Sequence, residues 1–271
     1  MSEVFGFDSY SPREIAERVE TVGVAKANLP VVSMIALGVL AGGFIGLGAL
    51  FATIVLSDPM LTFAVSRVLA GVVFSLGLIL VVVAGAELFT GNNLLVMAYV
   101  AGRISAGRLM MNLFIVYVSN LAGAAGLAAL VALSGHGDLG DGAIGRTAVA
   151  MAATKAALPF GEAFFRAVLC NLLVCLAVWL AMAGRTVADK VLAIVFPVAA
   201  FVAAGFEHSV ANMYLIPLGI FLKPEYGGSA AASLNWMGFL HNLLPVTIGN
   251  LVGGAGLVGL VYHIIYRRKS L

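Results

Sequence analysis

Charge is what this sequence has least of. Asp, Glu, Lys and Arg make up 10% of its 271 residues, where a soluble domain carries about 25%. With 62% hydrophobic residues and a mean hydropathy of +1.07, the composition excludes a water-soluble globule and points to a bilayer. The formal net charge is only +2 and the basic residues are dispersed, which excludes a nucleic-acid-binding surface. Cysteine is equally scarce. Cys170 and Cys175 lie in one apolar stretch at a spacing that keeps them off a shared helical face, so they read as small buried residues. The four histidines (His136, His208, His241 and His263) are scattered without metal-ligand spacing. No cofactor motif or nucleophile–base pair is present either, so no metal, no cofactor and no enzyme are expected. The polar stretch 1–29 precedes an apolar run too long for a signal-peptide core, and no cleaved signal is expected.

What the chain has is apolar length. Six segments stand out, at about 30–56, 65–100, 109–133, 164–183, 191–222 and 236–266. A bilayer requires about 20 apolar residues per helix, so the second and fifth are too long. As one helix, 191–222 would reach roughly 48 Å across a core of roughly 30 Å. Both contain a polar interruption, Glu87-Leu88-Phe89-Thr90-Gly91-Asn92-Asn93 and Glu207-His208-Ser209-Val210-Ala211-Asn212, where each helix is expected to break. With six spans the termini share a side, and that side holds ten of the fifteen Lys and Arg. Both termini are therefore expected to be cytoplasmic. Ahead of the first span, Ser11-Pro12-Arg13-Glu14 reads as a capping box opening an amphipathic helix within 1–29, with Ile15, Val19 and Val22 as its stripe. Two readings stand for it, a helix lying on the membrane surface or a gate beneath a pore mouth.

The two interruptions sit in related text. Ala84-Gly85-Ala86-Glu87 with Asn92 recurs 120 residues later as Ala204-Gly205-Phe206-Glu207 with Asn212. Asn120-Leu121-Ala122-Gly123 recurs 130 residues later as Asn250-Leu251-Val252-Gly253. The expected fold is therefore an all-α membrane protein with six transmembrane helices in two three-helix repeats, 30–133 and 160–266, and a cytoplasmic tail at 267–271. Three spans per repeat invert the second copy, and paired broken helices 2 and 5 place the working site near the midplane. Freed backbone groups must then face a protein-lined cavity. Gly38, Gly42 and Gly46, and Gly249 and Gly253, have the spacing of close helix packing.

Within this frame a few polar residues carry chemistry. Glu87 and Glu207 are carboxylates at membrane depth, where charge is costly. Their equivalence suggests a structural role, accepting hydrogen bonds from backbone donors freed at the breaks, with direct contact to substrate or proton as the alternative. His208 has no counterpart, since the first repeat has Leu88 there. Set among Ser209, Asn212 and Thr90, it is a candidate proton partner for an anion. Lys155 is either a snorkelling lysine or a device focusing anions into a vestibule. Glu162 and Arg166 read as an i,i+4 surface pair.

Phe74-Ser75-Leu76-Gly77-Leu78, Glu87-Leu88-Phe89-Thr90-Gly91, Asn171-Leu172-Leu173-Val174-Cys175-Leu176-Ala177-Val178-Trp179 and Gly205-Phe206-Glu207-His208-Ser209-Val210-Ala211-Asn212 closely resemble the formate/nitrite transporter family, over about 12–266. The resemblance implies an aquaporin-like protomer in a homopentamer of a bacterial inner membrane. Each protomer would have its own pore for small monovalent weak-acid anions such as formate, nitrite or hydrosulfide, with proton coupling. It makes His208 the central pore histidine and Thr90 its partner. Lys155, Asn171, Glu207 and Asn212 become the polar set around them, and Phe74, Leu78, Leu88, Phe89, Val174 and Phe201 the apolar constrictions. Some motifs match the nitrite branch and others the formate branch. A neutral-solute or water channel is the rival reading, but the paired Asn-Pro-Ala turns of such channels are absent.

Overall fold

The computed structural model describes residues 9–228 and 234–267. Arg268 and Lys269, which entered the charge asymmetry, lie outside the described residues, as do positions 1–8 of the N-terminal segment and 268–271 of the tail.

Helix α1 (Pro12–Ala27) begins at the expected capping box. Ser11 Oγ accepts from the Glu14 backbone N–H, and Glu14 Oε2 accepts from the Ser11 N–H at 2.8 Å. Of its expected stripe, Ile15 and Val19 are buried, packing with Leu94, Met97 and Trp179, while Val22 is half-buried and lines the cavity beside Lys26.

Among the described residues, six helical stretches are long and apolar enough to cross a bilayer: Val31–Leu56, Phe63–Gly85, Ala106–Leu133, Phe160–Ala183, Val187–Ala204 and Trp236–Tyr266. In element terms these are α2 (Val31–Leu56), α3 (Phe63–Ile79) with its π-helical last turn Leu80–Gly85, α6 (Ala106–Leu133), α8 (Phe160–Ala183), α9 (Val187–Ala204), and α11 (Trp236–Leu251) running through a wide turn into α12 (Val261–Tyr266). The two overlong segments break as expected. After α3 the chain passes Gly85 at φ 87° and an extended Ala86, then resumes as α4 (Phe89–Asn92) and α5 (Leu95–Val100). After α9 it turns at Gly205, φ 73°, and resumes as α10 (Ser209–Tyr226). Left-handed φ values are cheap only for glycine, so these two glycines are what let each helix stop before it resumes.

The two halves repeat in packing as well as in order. A Cβ on Gly123 of α6 would collide with the Val39 carbonyl of α2, and one on Gly253 with the Val168 carbonyl of α8. Helix axes approach this closely only through small residues.

One expectation needs correction. Repeats at 30–133 and 160–266 leave 134–159 outside both, yet α7 (Ala143–Ala156) is a helix packed against α10. It ends in Lys155 as α1 ends in Lys26, so each half has four parts: a short helix, a full span, a broken span and a full span. Helix α1 meets the end of α12, where the buried Glu20 carboxylate lies 3.1 Å from Arg267 Nε and 3.3 Å from His263 Nδ1.

Candidate functional site

Each break frees backbone groups that lipid cannot satisfy. Asn120 on α6 deals with the first. Its Nδ2 donates to the carbonyls of Gly38 and Glu87, both at 2.8 Å, and its Oδ1 accepts from the Phe89 N–H at 2.9 Å. Asn250 on α11 repeats this at the second break, donating to Ala167 and Glu207 carbonyls at 2.9 and 3.0 Å and accepting from the Ser209 N–H at 2.9 Å. These asparagines do the work expected of Glu87 and Glu207. The correction has a physical cause: an amide both donates and accepts, whereas a carboxylate only accepts and cannot serve the freed carbonyls.

The glutamates are held instead by side chains. Lys26 Nζ donates to Glu87 Oε1 at 2.8 Å and Asn92 Nδ2 to Glu87 Oε2 at 2.7 Å. In the other half Lys155 Nζ donates to Glu207 Oε1 at 2.7 Å and Asn212 Nδ2 to Glu207 Oε2 at 2.6 Å. The network continues identically outward. Asn92 and Asn212 donate to Asn112 and Asn242, which in turn donate to the backbone carbonyls of Lys26 and Lys155. The halves differ in two contacts, since Asn242 Nδ2 also donates to Glu207 Oε2 at 3.4 Å. Lys26 also donates to Asn92 Oδ1 at 2.9 Å, while Asn212 Oδ1 has no partner among the described residues.

His208 stands between these clusters and is buried. As the N-cap of α10, its Nδ1 accepts from the Ala211 N–H at 3.0 Å, and its Nε2 lies 2.9 Å from Thr90 Oγ1 on α4. Because Nδ1 is engaged as an acceptor, these partners assign the neutral ring its hydrogen on Nε2, donated to Thr90. Protonation at Nδ1 would break the Ala211 bond. The Thr90 carbonyl in turn accepts from Asn171 Nδ2 at 3.3 Å, and Asn171 also donates to the Asn250 carbonyl at 2.7 Å. The His208 ring stacks on Phe201 with centroids 6.0 Å apart, and Phe201 meets Phe74 edge-on at 5.7 Å.

Two cavities flank this centre. One, of about 380 Å³, is lined by Lys155, Glu207, Asn212 and His208 with Phe74 and Phe201. The other, of about 440 Å³, is lined by Lys26, Glu87 and Asn92 with Leu78, Leu88 and Val178. Thr90, Leu78, Leu88, Phe74, Phe201 and Val174 are all buried. Phe89 is buried too, its ring edge-on to Tyr117 with centroids 4.8 Å apart. Glu162 and Arg166 form their i,i+4 pair at 2.9 Å on the surface. Cys170 and Cys175 are buried.

Sequence reasoning missed Lys26, Asn112 and Asn242 and gave Asn120 and Asn250 no role. The signal was there. The 130-residue shift of Asn120 and Asn250, carried eight positions upstream, pairs Asn112 with Asn242, and Lys26 with Lys155 falls within one residue of it.

A family model described as formate/nitrite transporter matches residues 13–264. The formate channel FocA of Escherichia coli K12 is 42% identical over 276 residues, covering 97% of each chain. A solved structure described as a pentameric formate channel with formate bound superposes with a TM-score of 0.80 at 37% identity, covering 88% of this chain and 98% of its own. Another, described as an FNT family ion channel, gives 0.83 at 33% identity, covering 93% and 98%.

Proposed function

The chain belongs to the formate/nitrite transporter family, and from that premise we propose that it is a channel for small monovalent weak-acid anions, formate first among them, one path running through each protomer of a homopentamer. We place it in a bacterial inner membrane with both termini cytoplasmic, on the charge asymmetry of the sequence. The observation that carries the reading is the His208 Nε2–Thr90 Oγ1 contact of 2.9 Å, set between two cavities that each hold a lysine–glutamate pair.

An anion is drawn to a mouth by the lysine and loses water as it meets the aromatic or aliphatic neck. A dry neck opposes a bare charge by several kcal/mol at least, so the anion crosses most easily as its neutral acid. His208 and Thr90 offer N–H and O–H groups to it at the centre. A proton captured at Nδ1, with loss of the Ala211 bond, makes the ring cationic beside the anion. Transfer of the Nε2 proton to the carboxylate yields neutral formic acid and a neutral ring with hydrogen on Nδ1. Exchange of that hydrogen back to Nε2 restores the Ala211 bond. Glu207 and Glu87 keep their lysines in place, and Asn171 holds the Thr90 turn. Val174 and Phe89 belong to the apolar wall, with nitrite and hydrosulfide as further substrates of the same chemistry.

The test is uptake of radiolabelled formate and nitrite into proteoliposomes across a pH gradient. Wild-type uptake should rise with an inward proton gradient, and His208→Ala should lose that dependence together with most of the flux. Unchanged, pH-independent flux in His208→Ala defeats the proton-coupled reading. Competition by nitrite, hydrosulfide and acetate against labelled formate ranks the substrates.

A further inference from the structure

Arg67 stands outside the polar set described above, yet it touches both the cavity of Lys155 and the end of a broken helix. It projects from the first turns of α3, which packs beside α9. Its Nε donates to the Ala203 carbonyl at 3.1 Å and its Nη2 to the Val202 carbonyl at 2.8 Å. Those carbonyls belong to the last turn of α9, where the Val202 carbonyl also accepts the Gly205 N–H at 3.1 Å and the Ala203 carbonyl lies beyond the last helical donors. Arg67, Val202, Gly205 and Phe206 all line the cavity that holds Lys155, Glu207 and His208.

A helix C-terminus carries the equivalent of roughly half a negative charge. Here that charge would face the mouth through which an anion must approach. The guanidinium binds both carbonyls directly and sets a cation over the negative end of the helix. It also ties down the turn that presents Phe201, the ring stacked on His208 and set against Phe74. The device is confined to one mouth. The 120-residue shift that relates the two breaks places Val187 at the related position in the second repeat, an exposed apolar residue.

We propose that Arg67 is a positioning and selectivity residue for one mouth only, cancelling the C-terminal charge of α9 toward incoming anions and fixing the Phe201 neck. The inference rests on the anion-path reading above. It predicts that Arg67 sets the apparent affinity for anions arriving from its own side and leaves the other side alone.

The experiment uses the full-length protein in proteoliposomes of defined orientation, with initial rates of labelled formate uptake measured from each side against concentration and ionic strength. Arg67→Gln keeps a donor for one carbonyl and removes the charge. It should raise KM about fivefold from the Arg67 side, with a flatter salt dependence, and leave KM from the other side unchanged. Arg67→Lys keeps the charge with one donor group in place of two, so it should restore KM and the salt dependence while lowering the maximal rate. An Arg67→Gln protein with wild-type KM and salt dependence on both sides overturns the inference, as does an equal change on both. Should Arg67→Gln fail to assemble, a raised KM in Arg67→Lys, whose charge is intact, overturns it. Absence of formate uptake by the wild-type protein would instead remove the anion-path reading itself.

Discussion

Replacing Lys155 by methionine leaves the Glu207 carboxylate without its ammonium partner while barely changing side-chain length. Glu207 is 4% exposed and Lys155 17%, with 2.7 Å between Nζ and Oε1. At an effective dielectric constant of about 20 the gross attraction is about 6 kcal/mol, offset in large part by desolvation of both ions. What is observed on removing one partner of such a pair is about 3–5 kcal/mol, because the survivor stays buried and uncompensated. Asn212 at 2.6 Å and Asn242 at 3.4 Å still donate to Glu207, which places Lys155→Met at the lower end, near 3 kcal/mol. Glu207→Gln should cost less, about 1–2 kcal/mol, since the freed lysine can reach water through the cavity. The double variant should also lose about 1–2 kcal/mol, because no isolated charge remains, giving a coupling of about 3 kcal/mol. The measurement is reversible unfolding in SDS-containing mixed micelles, followed by fluorescence of Trp179 and Trp236. Losses that add to within about 0.5 kcal/mol would refute the reasoning. So would a Lys155→Met protein as stable as wild type.

Asn250→Leu strips the Glu207 carbonyl and the Ser209 N–H of their partner at once, and takes from the Ala167 carbonyl the second of its two donors. At about 1–3 kcal/mol for each buried group left unpaired, the expected result is loss of the assembled protein on gel filtration, with Asn120→Leu behaving alike. At the N-terminal helix, the Ser11 hydrogen bonds hold the Glu14 carboxyl below its ordinary 4.5. A depressed carboxylate stabilises the folded state above its unfolded pKa, and that stability is lost as pH falls through the folded value. Protection of the Glu14 amide, corrected for intrinsic exchange, should therefore be high at pH 6 and be lost as pH falls through the lowered range of its carboxyl. Ser11→Ala should abolish the difference, and an unchanged profile would show that the capping box does not hold this turn.

How much of this was legible in the chain varies by residue. Glu87 and Glu207, with His208 and Thr90 nearby, were visible because polar side chains inside overlong apolar runs have no reason to be there except a break or a function. Lys26 was hidden. A lysine at the end of a short amphipathic helix looks like any interfacial lysine, and its partner Glu87 lies 61 residues away. Helix α7 was hidden for a different reason. Its run of alanines with Gly145, Arg146 and Lys155 lacks the strong apolar stripe that marks a buried helix, and it is buried through small residues such as Ala148 and Ala152. The role of Asn120 and Asn250 was misassigned to the glutamates because a break was recognised without asking which group can both give and take hydrogen bonds.

Apolar length and its interruptions determined by themselves that the protein resides in a membrane, that it has six spans, and that two of them break in related places. Those properties follow from solvation, which acts on each segment alone. Tertiary structure decided which charges are paired. It also decided that an asparagine from the next span closes each break, and that His208 faces a threonine of the other half at 2.9 Å. These depend on side chains far apart in sequence meeting at hydrogen-bond distance, which is set by how the helices pack against one another and leaves no mark on the composition of any single segment.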